Sequence, residues 1–421
     1  MKIKALRGFK DWLPEDFSCY AHLIDKARQV LSLYGFKEVK LPILEKTGLF
    51  VRSIGEVTDI VQKETYTFED RNGELVTLRP EATAGMCRMF VEHGLFNRPK
   101  PLKLFTVGPM FRHERPQKGR LREFYQISVE FFGKLTPLME AELIYLALQI
   151  LNSPKKISPV LEVNSLGCAD CRPAFREYLV KELSKVKSRL CEVCQQRLER
   201  NPLRILDCKK EGCKEVVKGL KPISEFWCEA CRSHFSSLLK GLKELGVSYE
   251  QNPFLVRGLD YYQRTIFEIK VPGLGAQDTI CAGGRYDGLV LELGGPPEIN
   301  ATGFAIGVER WALALFEEEK PAFLKPPFVF LALLGEKARL YGLKIAKSLR
   351  EAGIPTEATY EEKSLKAQLK DANRLGVKLA IILGEDELEK GVATLRDMEK
   401  SMQEEVPLKE LLEKVKSKCL S

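Results

Sequence analysis

Residues 102–132, LKLFTVGPMFRHERPQKGRLREFYQISVEFF, constrain the fold more than any other stretch. Two arms rich in apolar and β-branched residues flank a polar, basic loop, which predicts an antiparallel hairpin. Strand side chains alternate between faces, so Phe124, Gln126, Ser128 and Glu130 share one face of the second arm, and Tyr125, Ile127, Val129 and Phe131 share the other. The second set suits a core. An aromatic ring, an amide and a carboxylate are thereby left together on the opposite face, which reads as the floor of a pocket.

The elements around this hairpin follow from periodicity. From Asp16 to Tyr34, the residues Phe17, Tyr20, Ile24, Ala27, Val30 and Leu31 recur at helical spacing, and Gly35 supplies a stop. GFKEVKLPILE then reads as extended, with Pro42 marking a sheet edge or a bend, so that this segment is either a subunit contact or a plain edge. Residues 168–245 break the strand-rich pattern with helical, charged sequence and read as an insertion. Strand character resumes at PFLVRGLDYYQRTIFEIKV; strict alternation there would set Arg257 and Tyr262 on opposite faces, with Gly258 permitting a bend or bulge between them. TGFAIGVERWALALFEEE reads as a strand running into an amphipathic helix, and KPAFLKPP as a Pro-rich linker. Beyond it FVFLALLG, KARLYGLKIAKSLREAG, IPTEATY, SLKAQLKDANRLG and VKLAIILG alternate as a small α/β domain.

A chain of 421 residues fits two or three domains. The strongest apolar run, Phe328 to Leu334, is too short to cross a bilayer, and the first residues show no apolar stretch of signal-peptide length, so no membrane association and a cytoplasmic location are expected. The net charge of +8 suits a polyanionic partner, or simply solubility. Twelve cysteines would suggest a disulfide framework in a small secreted chain, but eight of them crowd between Cys168 and Cys231 of a large one, where metal or reduced thiols are expected.

Neither G-x-x-x-x-G-K-[ST] nor G-x-G-x-x-G occurs, so a bound nucleotide would need something other than a Gly-rich phosphate cradle. Arginine is the alternative, because its planar fork matches phosphate oxygens bidentately and stays charged. Arg112, Arg120, Arg257 and Arg310 all stand near expected strand or helix ends. Any one of them taken singly suits a solvated surface position, and Arg257 also suits an ion pair with Asp260.

In order along the chain, GFKEVKLPILE, LRPEAT, FRHERPQKGRLREFYQISVE, RGLDYYQRTIFE, GGRYDGL and GFAIGVERW resemble motif 1, the substrate loop, motif 2, the two histidine-specific motifs and motif 3 of histidyl-tRNA synthetases of bacterial type. The resemblance implies an α+β fold: a class II synthetase catalytic core at 1–320 with an antiparallel sheet flanked by helices, a helical insertion domain at 168–245, and a C-terminal α/β anticodon-binding domain at 326–421. It implies histidine–tRNA ligase activity, with ATP and Mg²⁺, L-histidine and tRNA(His) bound and a homodimer formed through motif 1. Arg112, Glu114, Arg120, Phe124 and Arg310 are implied at the ATP, with Phe124 stacked on the adenine. Glu81, Ala82, Thr83, Arg112, Gln126, Glu130, Arg257, Tyr261, Tyr262 and Tyr286 are implied at the histidine, with Glu130 and Tyr262 on the imidazole and Glu81, Thr83 and Gln126 at the ammonium group. Arg257, together with Arg112, is implied as the catalytic residue. Ala82 departs from the glycine common at this place in the family, which restricts the backbone slightly.

The resemblance also implies that the insertion clamps the acceptor arm and that Gln117, Lys118 and Arg120 of the hairpin loop meet the acceptor end. Between Lys181 and Lys221 stand twelve basic and six acidic residues, an excess of six that suits phosphate contact or a solvated helical face. Cys168, Cys171, Cys191, Cys194, Cys208, Cys213, Cys228 and Cys231 form four close pairs, enough for two zinc sites of four thiolates each, or for small buried thiols. Two other readings share some of these features. One is a synthetase-like regulatory subunit of histidine biosynthesis, expected to lack the catalytic arginines, the insertion and the anticodon domain. The other is a prolyl or threonyl synthetase, which would not need RGLDYY or GGRYDGL.

Overall fold

The structure is a computed structural model, and it describes residues 3–54, 58, 60–155, 157–274, 278–316 and 323–420. The chain divides into two compact units, Met1–Pro321 and Ala322–Ser421. Among the described residues, no helix is long and apolar enough to cross a membrane.

The hairpin expected from alternation is the centre of the first unit. Strand Leu102–Phe111 pairs antiparallel with Glu123–Gly133, in register from Leu102 opposite Phe132 to Phe111 opposite Glu123. The sheet grows outward from Glu123–Gly133 through Asn300–Gly307, Thr279–Arg285, Gln263–Lys270 and Val160–Ser165, every one of these pairs antiparallel. Two-residue strands close both edges in parallel: Lys37–Glu38 beside Leu104 and Phe105, and Glu250–Gln251 beside Glu162 and Val163. The edge position of the GFKEVK segment is thus the one its proline suggested.

Of the face expected in the core, Ile127, Val129 and Phe131 are buried and Tyr125 is half-buried; Ser128 and Glu130 on the opposite face are buried too, so the sheet is covered on both sides there. Helix Val308–Phe316 packs on the second hairpin strand, and helix Pro137–Asn152 packs on the neighbouring strands. Trp311, fully buried, donates its indole N–H to the Leu151 carbonyl at 3.1 Å and locks these two helices together. Helix Pro14–Leu33 lies against both. Its buried residues are Cys19, Tyr20, Leu23, Ala27 and Leu31; Tyr20, Ala27 and Leu31 belong to the expected stripe, Ile24 and Val30 are half-buried, and Phe17 is exposed. Pro14 begins this helix, and Gly35 ends it at φ +77°, a left-handed conformation that lets the Phe36 N–H reach back to the Leu31 carbonyl.

A small three-stranded sheet, Leu44–Lys46, Leu75–Leu78 and Tyr66–Glu69, lies before the hairpin. The segment expected to run as strand from residue 253 is instead a loop as far as Tyr262, and strand begins only at Gln263. Asn252 turns the chain there, its side-chain oxygen accepting from the Phe254 N–H and its carbonyl from the Leu255 N–H. The alternation rule therefore does not apply between Arg257 and Tyr262.

Between Val160–Ser165 and Glu250–Gln251 the chain is helical: Arg172–Lys185, Glu192–Arg200, Glu211–Lys218 and Glu229–Glu244, joined by short 3₁₀ turns. Phe175, Leu179, Leu183, Leu198, Ile205 and Val217 give this segment a core of its own. Helix Glu229–Glu244 packs back on Pro137–Asn152.

In the second unit a five-stranded sheet runs in the order Thr356–Ala358, Val329–Leu333, Leu379–Leu383, Val392–Asp397 and Gln403–Pro407. The first three strands are parallel and the last two antiparallel. Helices Glu336–Glu351 and Leu365–Leu375 occupy the stretches read as helical. Of the residues read as the end of the preceding helix and the Pro-rich linker, 317–322 lie outside the described residues.

Candidate active site

A cleft of about 460 Å³ opens above the hairpin, and Phe124, Gln126 and Ser128 form part of its floor. All four arginines singled out from the sequence line it, although they come from three separate stretches of chain, Arg112 and Arg120 from the hairpin loop. Arg112, just past the first hairpin strand, donates from Nε to the Pro80 carbonyl at 2.9 Å, and its guanidinium lies 5.2 Å from the centre of the Phe124 ring. Arg120 pairs with the buried Glu114. Arg310, in the first turn of helix Val308–Phe316, donates from Nε to the Gly119 carbonyl at 3.2 Å and from Nη1 to the Thr279 carbonyl at 2.8 Å. Arg257 pairs with Glu268 of strand Gln263–Lys270. Asp260, the alternative partner, instead accepts from Asn201 Nδ2 at 2.9 and 3.1 Å.

The electrostatics favour an anion. Burial, and then the neighbouring charges of Arg120, Arg112 and Arg257, push the Arg310 guanidinium down to about 10. Arg310 thus faces three other guanidinium groups, two of them paired with Glu114 and Glu268, and an anion entering beside it would relieve their repulsion. Buried polar atoms point the same way. Gln126 Oε1, Ser128 Oγ and Arg257 Nε have no hydrogen-bond partner among the described residues, and a buried polar atom left so is costly until something pairs with it.

Deeper, the LRPEAT segment meets the floor strand. Glu81 accepts from the backbone N–H groups of Thr83 and Ala84 at 2.6 and 2.9 Å, capping the start of helix Thr83–Glu92. Burial pushes its carboxyl up, and those two amides oppose the shift. Ala82 has φ −104°, a conformation open to any L residue, so the methyl that departs from the family glycine fits without strain. Glu130 is fully buried beneath the floor. Thr83 donates to its Oε1 at 2.6 Å and Tyr286 donates to its Oε2, while burial raises the carboxyl to about 8.

Two glycines make room for this. A Cβ on Gly303, opposite Glu130 in the sheet, would run into Glu130 Oε2, and one on Gly283 would run into the Gly303 carbonyl. Tyr261, Tyr262 and Tyr286 form an aromatic wall, with ring centres 4.6 Å apart for the first two and 5.5 Å apart for Tyr261 and Tyr286. Burial holds the Tyr262 phenol up at about 12, so it stays protonated at neutral pH.

Glu81, Ala82, Thr83, Arg112, Glu114, Arg120, Phe124, Gln126, Arg257, Tyr261, Tyr262 and Arg310 thus share one cleft, whereas Glu130 and Tyr286 are buried beside it. Gln117 and Lys118 sit in the hairpin loop, where Gln117 bridges to Arg120. Glu268, Thr279 and Glu309, which had no expected role, also line the cleft. Glu268 carries a signal of its own, since it is the one charge within TIFEI, an otherwise apolar strand segment.

Insertion residues reach this region from outside. Arg172 donates from Nη1 to the Tyr262 carbonyl at 3.0 Å, and Asn201 holds Asp260. The eight cysteines of this segment gather into two groups of four, Cys168, Cys171, Cys228 and Cys231, and Cys191, Cys194, Cys208 and Cys213, and in each group the sulfur atoms lie within 4.8 Å of one another.

The chain as a whole is similar to known proteins. A family profile described as histidyl-tRNA synthetase matches residues 8–311, and one described as anticodon binding domain matches residues 329–418. Histidine–tRNA ligase of Desulfatibacillum aliphaticivorans is 48% identical over 413 residues, 98% of each chain. That of Thermodesulfovibrio yellowstonii is 47% identical, with 99% of each covered. Apo histidyl-tRNA synthetase of S. aureus superposes with a TM-score of 0.83 at 34% identity, covering 99% of this chain and 100% of that one.

Proposed function

The chain belongs to the histidyl-tRNA synthetase family, and from that premise we propose how the residues of its cleft carry out the reaction. It is a histidine–tRNA ligase with a class II catalytic core and a C-terminal anticodon-binding domain, and ATP is its co-substrate. The observation that carries the assignment of roles is the convergence of Arg112, Arg120, Arg257 and Arg310 on a cleft whose floor bears Phe124 and Gln126.

Histidine activation is an attack of its carboxylate on the α-phosphorus of ATP, in line with the departing pyrophosphate. The nucleophile is already ionised, so no proton needs to move. What the reaction demands is alignment and neutralisation of the charge that builds up between two anions. ATP enters as its magnesium complex, its adenine against Phe124, its α-phosphate held by Arg112 and its outer phosphates by Arg120 and Arg310. Arg257 stands between carboxylate and α-phosphate, oriented by Glu268. Entry of ATP would also displace part of the Glu114–Arg120 pairing, leaving Glu114 for the adenine amine.

The imidazole is read by Glu130 and Tyr262 with Tyr286 behind, and the ammonium group by Glu81, Thr83 and Gln126. A pocket that pairs both ring nitrogens strands its own buried polar groups when an isostere enters, which costs a competitor ~10⁴-fold or more. In the second step the terminal ribose hydroxyl of tRNA(His) attacks the adenylate carbonyl and releases AMP. The basic insertion 168–245 and the hairpin loop with Gln117, Lys118 and Arg120 meet the acceptor arm.

A homodimer through the 35–45 segment is favoured by Ile43 and Leu44, both 44% exposed beside the sheet edge. A cytoplasmic location is favoured by the activity itself, since charged tRNA is consumed where protein is made.

The test is exchange of pyrophosphate into ATP with each standard amino acid in the absence of tRNA. Exchange with histidine alone is expected. Exchange with another amino acid would overturn the pocket assignment, and no exchange by a folded, histidine-binding protein would favour a regulatory role.

A further inference from the structure

We propose that the insertion carries two structural zinc ions, each held by four cysteine thiolates, one at its neck and one in its interior. Four sulfurs at the usual Zn–S length of about 2.3 Å around a tetrahedral ion are separated by about 3.8 Å. At the neck the spacings are 3.6 Å for Cys168 and Cys171, 3.8 Å for Cys171 and Cys231, and 4.0 Å for Cys168 and Cys228; in the interior Cys191 and Cys208 are 3.9 Å apart. A disulfide needs sulfurs about 2.05 Å apart, and an iron–sulfur cluster, holding its thiolates at its corners, spreads them well beyond a single-ion spacing.

The surroundings favour thiolates over packed thiols. The backbone N–H of Cys228 donates to Cys171 Sγ at 3.1 Å, and that of Cys191 donates to Cys213 Sγ at 3.3 Å. Such bonds stabilise negative charge on sulfur, and they tie the two halves of each ligand set together. Apolar packing alone would not bring four sulfurs to one point, because four methyl-sized groups scatter through a core as well as they cluster. Two tetrathiolate sites would carry a net charge of −2 each, and the basic excess of the segment, including Lys209 and Lys210 directly after Cys208, offsets it.

The energetics give the ions a task. The insertion's own core is small, built from short helices and 3₁₀ turns, and segments of this size commonly need a staple. The neck site joins the point where the chain leaves the catalytic sheet to the start of helix Glu229–Glu244, which packs back on Pro137–Asn152, since its ligand pairs lie 60 residues apart. Arg172, beside Cys171, holds the Tyr262 carbonyl, and Trp227, beside Cys228, donates to the Ser165 carbonyl at 3.2 Å. The neck ion therefore fixes the hinge residues of the insertion against the strand end and the loop that line the cleft.

The experiment is elemental analysis of the full chain purified without chelators, alongside Cys168→Ser/Cys228→Ser and Cys191→Ser/Cys208→Ser. Two zinc ions per chain are expected in the parent and one in each double variant. No metal, a single ion, iron in place of zinc, or two ions retained in either variant overturns the proposal. Should the serine variants fail to fold, the parent stripped of metal and titrated with cobalt(II) decides. Thiolate-to-cobalt absorption saturating at two equivalents supports the sites, and its absence or saturation at one overturns them. These readouts are independent of aminoacylation, so they stand or fall apart from the catalytic assignment.

Discussion

The hydroxyl of Thr83 donates to Oε1 of Glu130 at 2.6 Å, joining the helix that follows LRPEAT to the sheet strand beneath the cleft. The bond fixes one oxygen of a fully buried carboxyl whose other oxygen is taken by Tyr286, so the group proposed to read the imidazole is held from both sides.

Glu130 gives a prediction with a definite sign. Its carboxyl is raised to about 8 in the folded chain, against an ordinary value near 4.5, chiefly by burial. Between those two values the folded state binds a proton that the unfolded state has lost, so stability from this group is fully present below about pH 4.5 and falls as pH rises through about 8. Glu130→Gln cannot ionise and should flatten the decline. Denaturant titrations of ligand-free parent and variant at about pH 6 and pH 9 would show it: the variant should gain relative stability at the higher pH. The same variant should raise KM for histidine by ~10²-fold or more while leaving KM for ATP nearly unchanged, because a buried hydrogen bond to an ionisable group is removed.

Gly303→Ala tests the space reserved for that carboxyl. The added methyl would run into Glu130 Oε2 and the Val129 carbonyl, and the second of these is backbone that cannot swing away. Overpacking of this kind costs ~1–3 kcal/mol, so the variant should fold with a lowered Tm and a weakened histidine affinity. Unchanged histidine binding by calorimetry would show that Glu130 does not need its present position.

Arg257→Lys keeps the charge and loses the planar fork. If Arg257 bridges carboxylate and α-phosphate in the transition state, histidine-dependent pyrophosphate exchange should fall ~10²–10³-fold in kcat, as for removal of a preorganised donor, with tRNA binding retained. Glu268→Gln should reproduce a smaller part of the loss, since on this reading Glu268 acts through its pairing with Arg257. Full activity in Arg257→Lys would reassign the role.

What a sequence can reveal depends on the length over which a pattern can be counted. The hairpin is legible because its strands run for ten and eleven residues on either side of a polar loop, and the floor residues Phe124, Gln126 and Ser128 come with it, with Glu130 buried beside the cleft. The three-stranded sheet at 44–78 escapes such reading because strands of three or four residues are too short to show a period. Residues 253–262 mislead for a different reason: their apolar and aromatic residues suit a strand, but Pro253 and Gly258 break it, and Asn252 starts a turn. Phe17 follows the helical spacing yet faces outward, because spacing identifies a stripe without fixing which neighbour covers it. The arginines stand out at element ends, but their roles come only through resemblance. Their convergence depends on three segments meeting, the hairpin loop and the stretches around Arg257 and Arg310, which no local pattern encodes. Glu268 escapes because its partner lies eleven residues away, across the turn into the strand.

The insertion supplies the last prediction. Arg172, Arg176, Lys181 and Arg200 line a groove of about 970 Å³ on its surface, with Glu177 and Asp260 as the acidic residues there. Arg176 and Arg200 are exposed and belong to neither cysteine group, so replacing both with alanine should leave folding and metal content intact. Neutralising a phosphate releases counterions, and each phosphate left without its arginine should lower the slope of log affinity against log salt by ~0.7–0.9. The double variant should therefore bind tRNA(His) more weakly at low salt, approach the parent as salt rises, and exchange pyrophosphate with histidine at the parent rate. A parallel offset of the two salt plots, with unchanged slope, would mean that the groove shapes the insertion without touching the nucleic acid backbone, and the basic surplus would then be a solvated face.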